Sequence, residues 1–200
     1  MRIKERFLIC LNKEIILIIQ RKRGFEVTPR SSVEIEKLTE KVRLYAQTKG
    51  YVTHSGYLDV IKLMEEGGMF SNQENGSYLD VVDDNELSSA FAQTLPNGII
   101  RVRESIYNKA VDGNGHARFT IAHEIGHFIM HRKQIHMARK AGENTKIYCD
   151  SEWQADEFAG RLLVPTKDLK QYSNIYTADE IAERYGVSAS CAEVRLRKCK

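Results

Sequence analysis

Five consecutive residues, His123-Glu124-Ile125-Gly126-His127, carry the side chains that metal-assisted hydrolysis needs, at a spacing that suits a helix. Residues four apart on an α-helix lie one above the other, so both imidazoles face the same side. Two neutral imidazole nitrogens so placed can close on one Zn²⁺, with Glu124 beside the metal's open position. The competing reading is a helix whose two histidines are merely exposed or hydrogen-bonded. A third donor weighs against it, and residues 151–165 offer one. There Ala155, Phe158, Ala159 and Leu162 recur at helical spacing until Pro165 stops the helix. Glu152 and Asp156, four apart, share one side of that helix. A catalytic zinc commonly takes two His and one Glu and keeps a water in the fourth position. Asp156 is placed to accept the other ring N–H of a ligating histidine and so fix its tautomer. The plain alternative for both acids is a solvated helix face.

With such a ligand set, zinc would lower the pKa of its water from about 16 toward about 7. Glu124 would take that proton and pass it to the leaving amine. His131, Tyr148 and Arg118 are the candidate oxyanion or substrate contacts, and they stand as equals on sequence. His131 lies one turn beyond His127 and reads as a structural or supporting histidine, with a fourth metal contact as the alternative. Cys149, three residues before Glu152, reads as a partly buried thiol, again with metal contact as the alternative. Manganese or iron could occupy the same nitrogen and oxygen donors.

The segment RFTIAHEIGHFIMH followed by EWQADEFAGRLLVP resembles the ImmA/IrrE family of small cytoplasmic zinc metallopeptidases, a gluzincin-like group. The first segment is similar to that family's R-F-T-x-A-H-E-x-G-H-x-x-x-H, the second to its E-x-x-A-[ND]-x-F-A-x-x-L-L-x-P. Upstream, VVDDNELSSAFAQTLPNGIIRVRESIY is similar to the strand segment before the family's catalytic helix. Downstream, IAERYGVSASCAEVRL resembles its closing helices, so the likeness runs from about Ser31 to the C-terminus. It implies an α+β, zincin-like minimal metallopeptidase with a small antiparallel sheet, an active-site HExxH helix and surrounding helices. It implies His123, His127 and Glu152 as Zn²⁺ ligands and Glu124 as the base. It also implies a cytoplasmic enzyme whose protein substrate is a transcriptional repressor of helix-turn-helix type, from a phage, mobile-element or stress-response system.

The remaining chain must position these residues. With 200 residues, 42% of them hydrophobic, it can bury the core of one globular domain. A net charge of +3 is too small to argue for a nucleic-acid partner. Four cysteines without C-x-x-C spacing read as reduced cytosolic thiols. Residues 1–30 form an N-terminal extension whose apolar runs, 7–11 and 15–19, are split by Asn12-Lys13-Glu14. The stretch is too short and too interrupted to span a bilayer and lacks a small-residue cleavage site. A β-hairpin or an apolar helix would both fit it.

The peptidase domain is placed at 31–175. Ser31 and Glu34 form a capping box for a helix with Ile35, Leu38, Val42 and Tyr45 inward, ending near Gly50. A second helix is predicted over 57–66. Strands over 78–82, 87–94 and 99–103 are separated by turn-forming residues and predict an antiparallel meander. Its edge strand would lie along the cleft and accept a substrate peptide as an added strand. Residues 112–115 read as a flexible loop before the catalytic helix. The C-terminal segment, 176–200, is helix-turn-helix-like. Packing by Ile181, Ala182, Tyr185, Val194 and Leu196 is favoured over DNA contact by the basic run 195–198. Two further readings stay open beside a peptidase: a non-proteolytic, metal-dependent regulator that binds a repressor or DNA, and a toxin–antitoxin partner with a vestigial site. An intact Glu124 weighs against the last, because structural zinc needs no base.

Overall fold

A computed structural model describes residues 23–71, 78–132, 134, 139–172 and 175–199, so the expectations for residues 1–22 lie outside the described residues. Helix α1 (Ser32–Thr48) begins at the expected box, with Ser31 Oγ accepting from Glu34 N–H while the Glu34 carboxylate accepts from Ser31 N–H. It buries Ile35, Thr39, Val42 and Ala46, one stripe at helical spacing. Helix α2 (Val60–Glu65) is shorter than predicted. Its cap is Asp59, which accepts from Lys62 N–H, and the residues before it are drawn into a bridge between Val52 and Leu58.

The sheet corrects the sequence reading. Strands β1 (Leu79–Val82), β2 (Ala92–Thr94) and β3 (Ile100–Arg103) stand in the order β1-β3-β2, a mixed sheet instead of an antiparallel meander. β2 and β3 are the expected hairpin, antiparallel with Ala92 opposite Val102. β1, however, runs parallel to β3, with Leu79 opposite Ile100. The cause is local. Asp83 and Glu86 close a single 3-10 turn instead of a hairpin. Arg101 on β3 binds Asp80 and Glu86, Arg103 donates to the Leu87 carbonyl, and Asp84 accepts from Ser105 N–H. These bonds hold the 83–91 segment around the end of the central strand, so only residues 92–94 of the strand expected over 87–94 pair, along the opposite side of β3.

Helix α3 (Glu104–Val111), which the sequence reading left out, follows β3 directly. The expected loop at 112–115 is a short connection to α4 (Gly115–Met130), where Asn114 Oδ1 accepts from Ala117 N–H. α4 is the centre of the molecule, with Ile121, Ala122, Ile125 and Phe128 buried among its neighbours. α5 (Ser151–Leu163) packs along it. A Cβ on Gly126 would stand 3.2 Å from Phe158 Cβ and 3.3 Å from Ala155 Cα, so glycine is what lets the two helices approach.

α6 (Thr166–Tyr172), α7 (Ala178–Tyr185) and α8 (Ala189–Cys199) complete eight α-helices among the described residues. Ile181 and Tyr185 are buried as expected for packing helices, Ala182 and Leu196 are half-buried, and Ala192 is buried beside them. Val194, expected inside, is 36% exposed, and Arg195 takes the inward position. Its guanidinium donates to the Val164 carbonyl and Thr166 Oγ1, and the Lys198 ammonium pairs with buried Glu157. One cation of the basic run is therefore buried in the body, and a second, half-exposed, pairs with a buried carboxylate. At the other end, residues 24–27 form an extended strap, with Phe25 bridged to Lys140 and Glu26 to Asp150. No helix among the described residues is long and apolar enough to cross a membrane.

Candidate metal centre and catalytic base

α4 presents His123, Glu124 and His127 to one cleft, and the first turn of α5 brings Glu152 to it. His123 Nε2 and His127 Nε2 stand 2.9 Å apart. Glu152 completes the group, with Oε2 3.5 Å from His123 Nε2 and Oε1 3.4 Å from His127 Nε2. Donors each about 2.0–2.2 Å from a tetrahedral zinc lie about 3.3–3.6 Å from one another, so the spacing fits within a few tenths of an ångström. His123 Nδ1 lies 2.9 Å from Asp156 Oδ1, a carboxylate that takes the ring N–H and leaves the lone pair of Nε2 facing inward. Nitrogens and carboxylate oxygens that face one another in this way need a positive charge between them. The donor set fits a divalent cation.

The titration behaviour agrees. Burial works against a charged His123, but hydrogen bonds to Asp156 and Glu152 and the nearby Glu124 charge outweigh it and raise its pKa to about 10. Burial likewise opposes a charged Glu152, yet hydrogen bonds from His123 and His127 hold its carboxyl well below the usual range. Without a metal, a proton takes the place of the cation. His131 behaves oppositely: burial first, then the neighbouring His127, push it down to about 3, so this ring is neutral.

Glu124 is not in the donor group. Thr94 Oγ1 at the end of β2 lies 2.7 Å from Glu124 Oε2 and 3.1 Å from the Glu124 carbonyl, and holds this carboxylate beside the donors. The cleft encloses about 640 Å³ between two walls. On one side are Ser88, Ser89, Ala90 and the β2 residues; on the other are Arg23 and, from the strap, Gly24 and Phe25. A Cβ on Gly24 would come within 2.8 Å of Glu152 Cγ and overlap Ser151 Oγ, so the strap abuts the ligand helix directly.

The three oxyanion candidates fall elsewhere. Arg118, fully buried, donates to the carbonyls of Leu58, Tyr185 and Gly186 and to the Tyr57 hydroxyl. Five residues before His123 on the same helix, it points about 140° away from the cleft, which removes it from the site. Tyr148 sits in the 3-10 turn Ile147–Cys149, its ring against the Lys146 ammonium, and does not line the cleft. His131 is enclosed behind His127, Nδ1 to Nδ1 at 3.0 Å. Cys149 is also outside the donor group. Sequence reasoning missed Thr94 and Gln154. Thr94 had a signal, as the last residue of a strand entering the turn at 95–98; Gln154 had none.

A helix-borne pair of histidines, a carboxylate between them that stays outside the donor group, and a third donor from the next helix define a metallopeptidase of the zincin kind. Residues 81–197, more than half of the chain, match the sequence model of the family described as the IrrE N-terminal-like domain, peptidase family M78. The chain belongs to this ImmA/IrrE-type metallopeptidase family, and His123, Glu124, His127 and Glu152 all lie within the matched stretch. A search of curated proteins found no match.

Proposed function

We propose that the protein is a zinc-dependent endopeptidase that hydrolyses a protein substrate, a transcriptional repressor of a phage, mobile-element or stress-response system. The observation that carries this reading is a three-donor cluster with one further carboxylate, Glu124, held at the same cleft by Thr94. Two histidines and a glutamate favour zinc among the divalent cations. Bound there, zinc would supply Lewis acidity toward a water and the scissile carbonyl. Glu124 takes the proton of the attacking water and returns it to the leaving amine. Thr94 occupies Oε2, which keeps Oε1 for that proton.

Among the described residues β2 is an edge strand, and Ala92, Gln93 and Thr94 line the cleft. A substrate segment that adds to this edge gains main-chain hydrogen bonds and lies across the donors. Beside it, Phe91, half exposed, and Phe119 border a recess that reaches His123 and Glu124. That recess suits an apolar substrate side chain next to the scissile bond. The repressor class is supported by the likeness of the paired motifs to the ImmA/IrrE family. A cytoplasmic setting belongs to the same proposal and is supported by the free thiols Cys149, Cys191 and Cys199.

The test uses purified wild type and Glu124→Gln, assayed for bound zinc and mixed with the repressor encoded beside the gene. Zinc in both, with a discrete fragment only from wild type, is the expected result. Zinc in neither overturns the reading. Zinc in both, with the repressor left intact by wild type, would overturn the substrate assignment and favour a regulator that acts by binding.

A further inference from the structure

The buried side of His127 opens onto a chain of hydrogen bonds whose proton positions are set from its far end. Gln154 Nε2 donates to two carbonyl oxygens, that of Thr28 at 2.9 Å and that of Tyr148 at 2.8 Å. Only an amide NH₂ can satisfy two carbonyls, so the side-chain oxygen must face the other way, where it stands 3.0 Å from His131 Nε2. That oxygen can only accept. His131 therefore carries a proton on Nε2, and its fully buried ring, placed between an amide oxygen and a second imidazole, stays neutral with a bare Nδ1. The bare nitrogen lies 3.0 Å from His127 Nδ1, which must then be the N–H of the pair. His127 is left with an unprotonated Nε2, and that atom faces His123 and Glu152. Two backbone carbonyls at one end demand the same proton arrangement that a metal demands at the other.

We propose that Gln154 and His131 are positioning residues that fix the tautomer and ring orientation of His127 as a metal ligand, anchored by the segment at Thr28. The proposal rests on the reading of His123, His127 and Glu152 as a metal site. The anchor lies outside the stretch that matches the family. It is itself fixed to the end of α4, since Thr28 N–H donates to Gln134 Oε1 and the Gln134 amide donates to the Met130 carbonyl. The two ligand histidines are thus oriented by different means. His123 relies on a half-exposed carboxylate, Asp156, whereas His127 relies on a neutral imidazole held in one tautomer by a fully buried amide. An acceptor without charge orients the ring without adding a third negative group to the buried side of the site.

The full chain, with ¹⁵N-labelled histidine, is examined by two-bond proton–nitrogen correlation spectra in the metal-free state and with one equivalent of zinc. In the zinc-loaded protein His131 is expected to be protonated on Nε2 and bare on Nδ1, and His127 to be protonated on Nδ1. Gln154→Leu and His131→Phe are each expected to weaken zinc binding about 10–100-fold, with a folded spectrum retained. If wild type binds no zinc, the metal site itself fails, and this inference with it. If zinc binds but His131 is protonated on Nδ1, or if both variants bind zinc as tightly as wild type, only the relay is overturned. Should a variant not fold, the wild-type spectrum decides alone.

Discussion

α5 carries two buried charged clusters, one at each end, and they differ in a way that separates structure from chemistry. Toward its C-terminal end, Glu157 and Arg161 are neighbours one turn apart. Arg161 also reaches Glu36 on α1 and Thr166 on α6, and Lys198 of α8 pairs with Glu157. Each acid there meets a base, and the bonds run to three other helices. That network is a clamp for the domain. Toward the N-terminal end, Glu152 meets two imidazole nitrogens that already face each other. Among the described residues, acceptors converge there without a lysine or arginine at their centre. A saturated cluster holds a fold together, while an unsaturated one at a cleft holds a ligand.

Removing the base from the open cluster has the largest expected effect. Glu124→Gln should lower cleavage by about 10²–10⁴-fold, as assayed on the substrate, with zinc content and thermal midpoint unchanged. The closed cluster should respond in the opposite sense. Arg161→Ala should cost about 3 kcal/mol in denaturant unfolding, at the low end for a broken buried pair because Lys198 still faces Glu157, and should leave zinc affinity alone. A large loss of zinc binding in that variant would break the distinction. Zinc itself should stabilise wild type by about 2.7 kcal/mol at a free concentration a hundred times its Kd, and His123→Ala should abolish that shift in a thermal scan.

pH sharpens the contrast further. His123 is raised from 6.5 to about 10, so its proton stabilises the metal-free fold fully below about pH 6.5, and the contribution disappears as pH rises through about 10. Glu152 is lowered from 4.5, so its charge stabilises above that value, and the contribution is lost as pH falls through its folded pKa. Zinc must displace the His123 proton. Uptake at pH 7.5 should therefore release about one proton, read as a dependence of binding heat on the ionisation enthalpy of the buffer. An uptake without proton release would show that the metal-free site is not held by a proton. The smallest effect belongs to Thr94→Val, which frees Glu124 from its hydrogen bond and should lower kcat about tenfold with little change in zinc content.

Much of the site could be read in one dimension because its parts are local. Two histidines four apart on a helix face one way whatever surrounds them, and the box of Ser31 and Glu34 needs only its own four residues. The hairpin of β2 and β3 is also local, turning at 95–98. The misread parts depend on distant partners. Alternation predicts that β1 is a strand but not which edge it joins; Arg101 and Arg103 settle that by holding the connecting segment around β3. A one-residue offset on α8 exchanged Val194 for Arg195, because periodicity alone does not say whether a carbonyl such as that of Val164 waits for a guanidinium. Gln154 was invisible for the same reason, its partners lying 126 and 6 residues away.

By itself, then, the sequence determined the chemistry on offer: a helix with two imidazoles and a carboxylate on one side, and a second helix with acids on one face. The capping box that starts α1 and the apolar stripe that follows it were also set there, since helix periodicity and caps are short-range properties. Only the tertiary structure decided which acids meet which imidazoles, which strand is the edge of the cleft, and that Arg118 is a strut behind the site. It also decided that the proton on His127 is governed by the carbonyls of Thr28 and Tyr148. Hydrogen-bond donors and acceptors find their partners through space, and the packing of α5 on α4 is what brings these together.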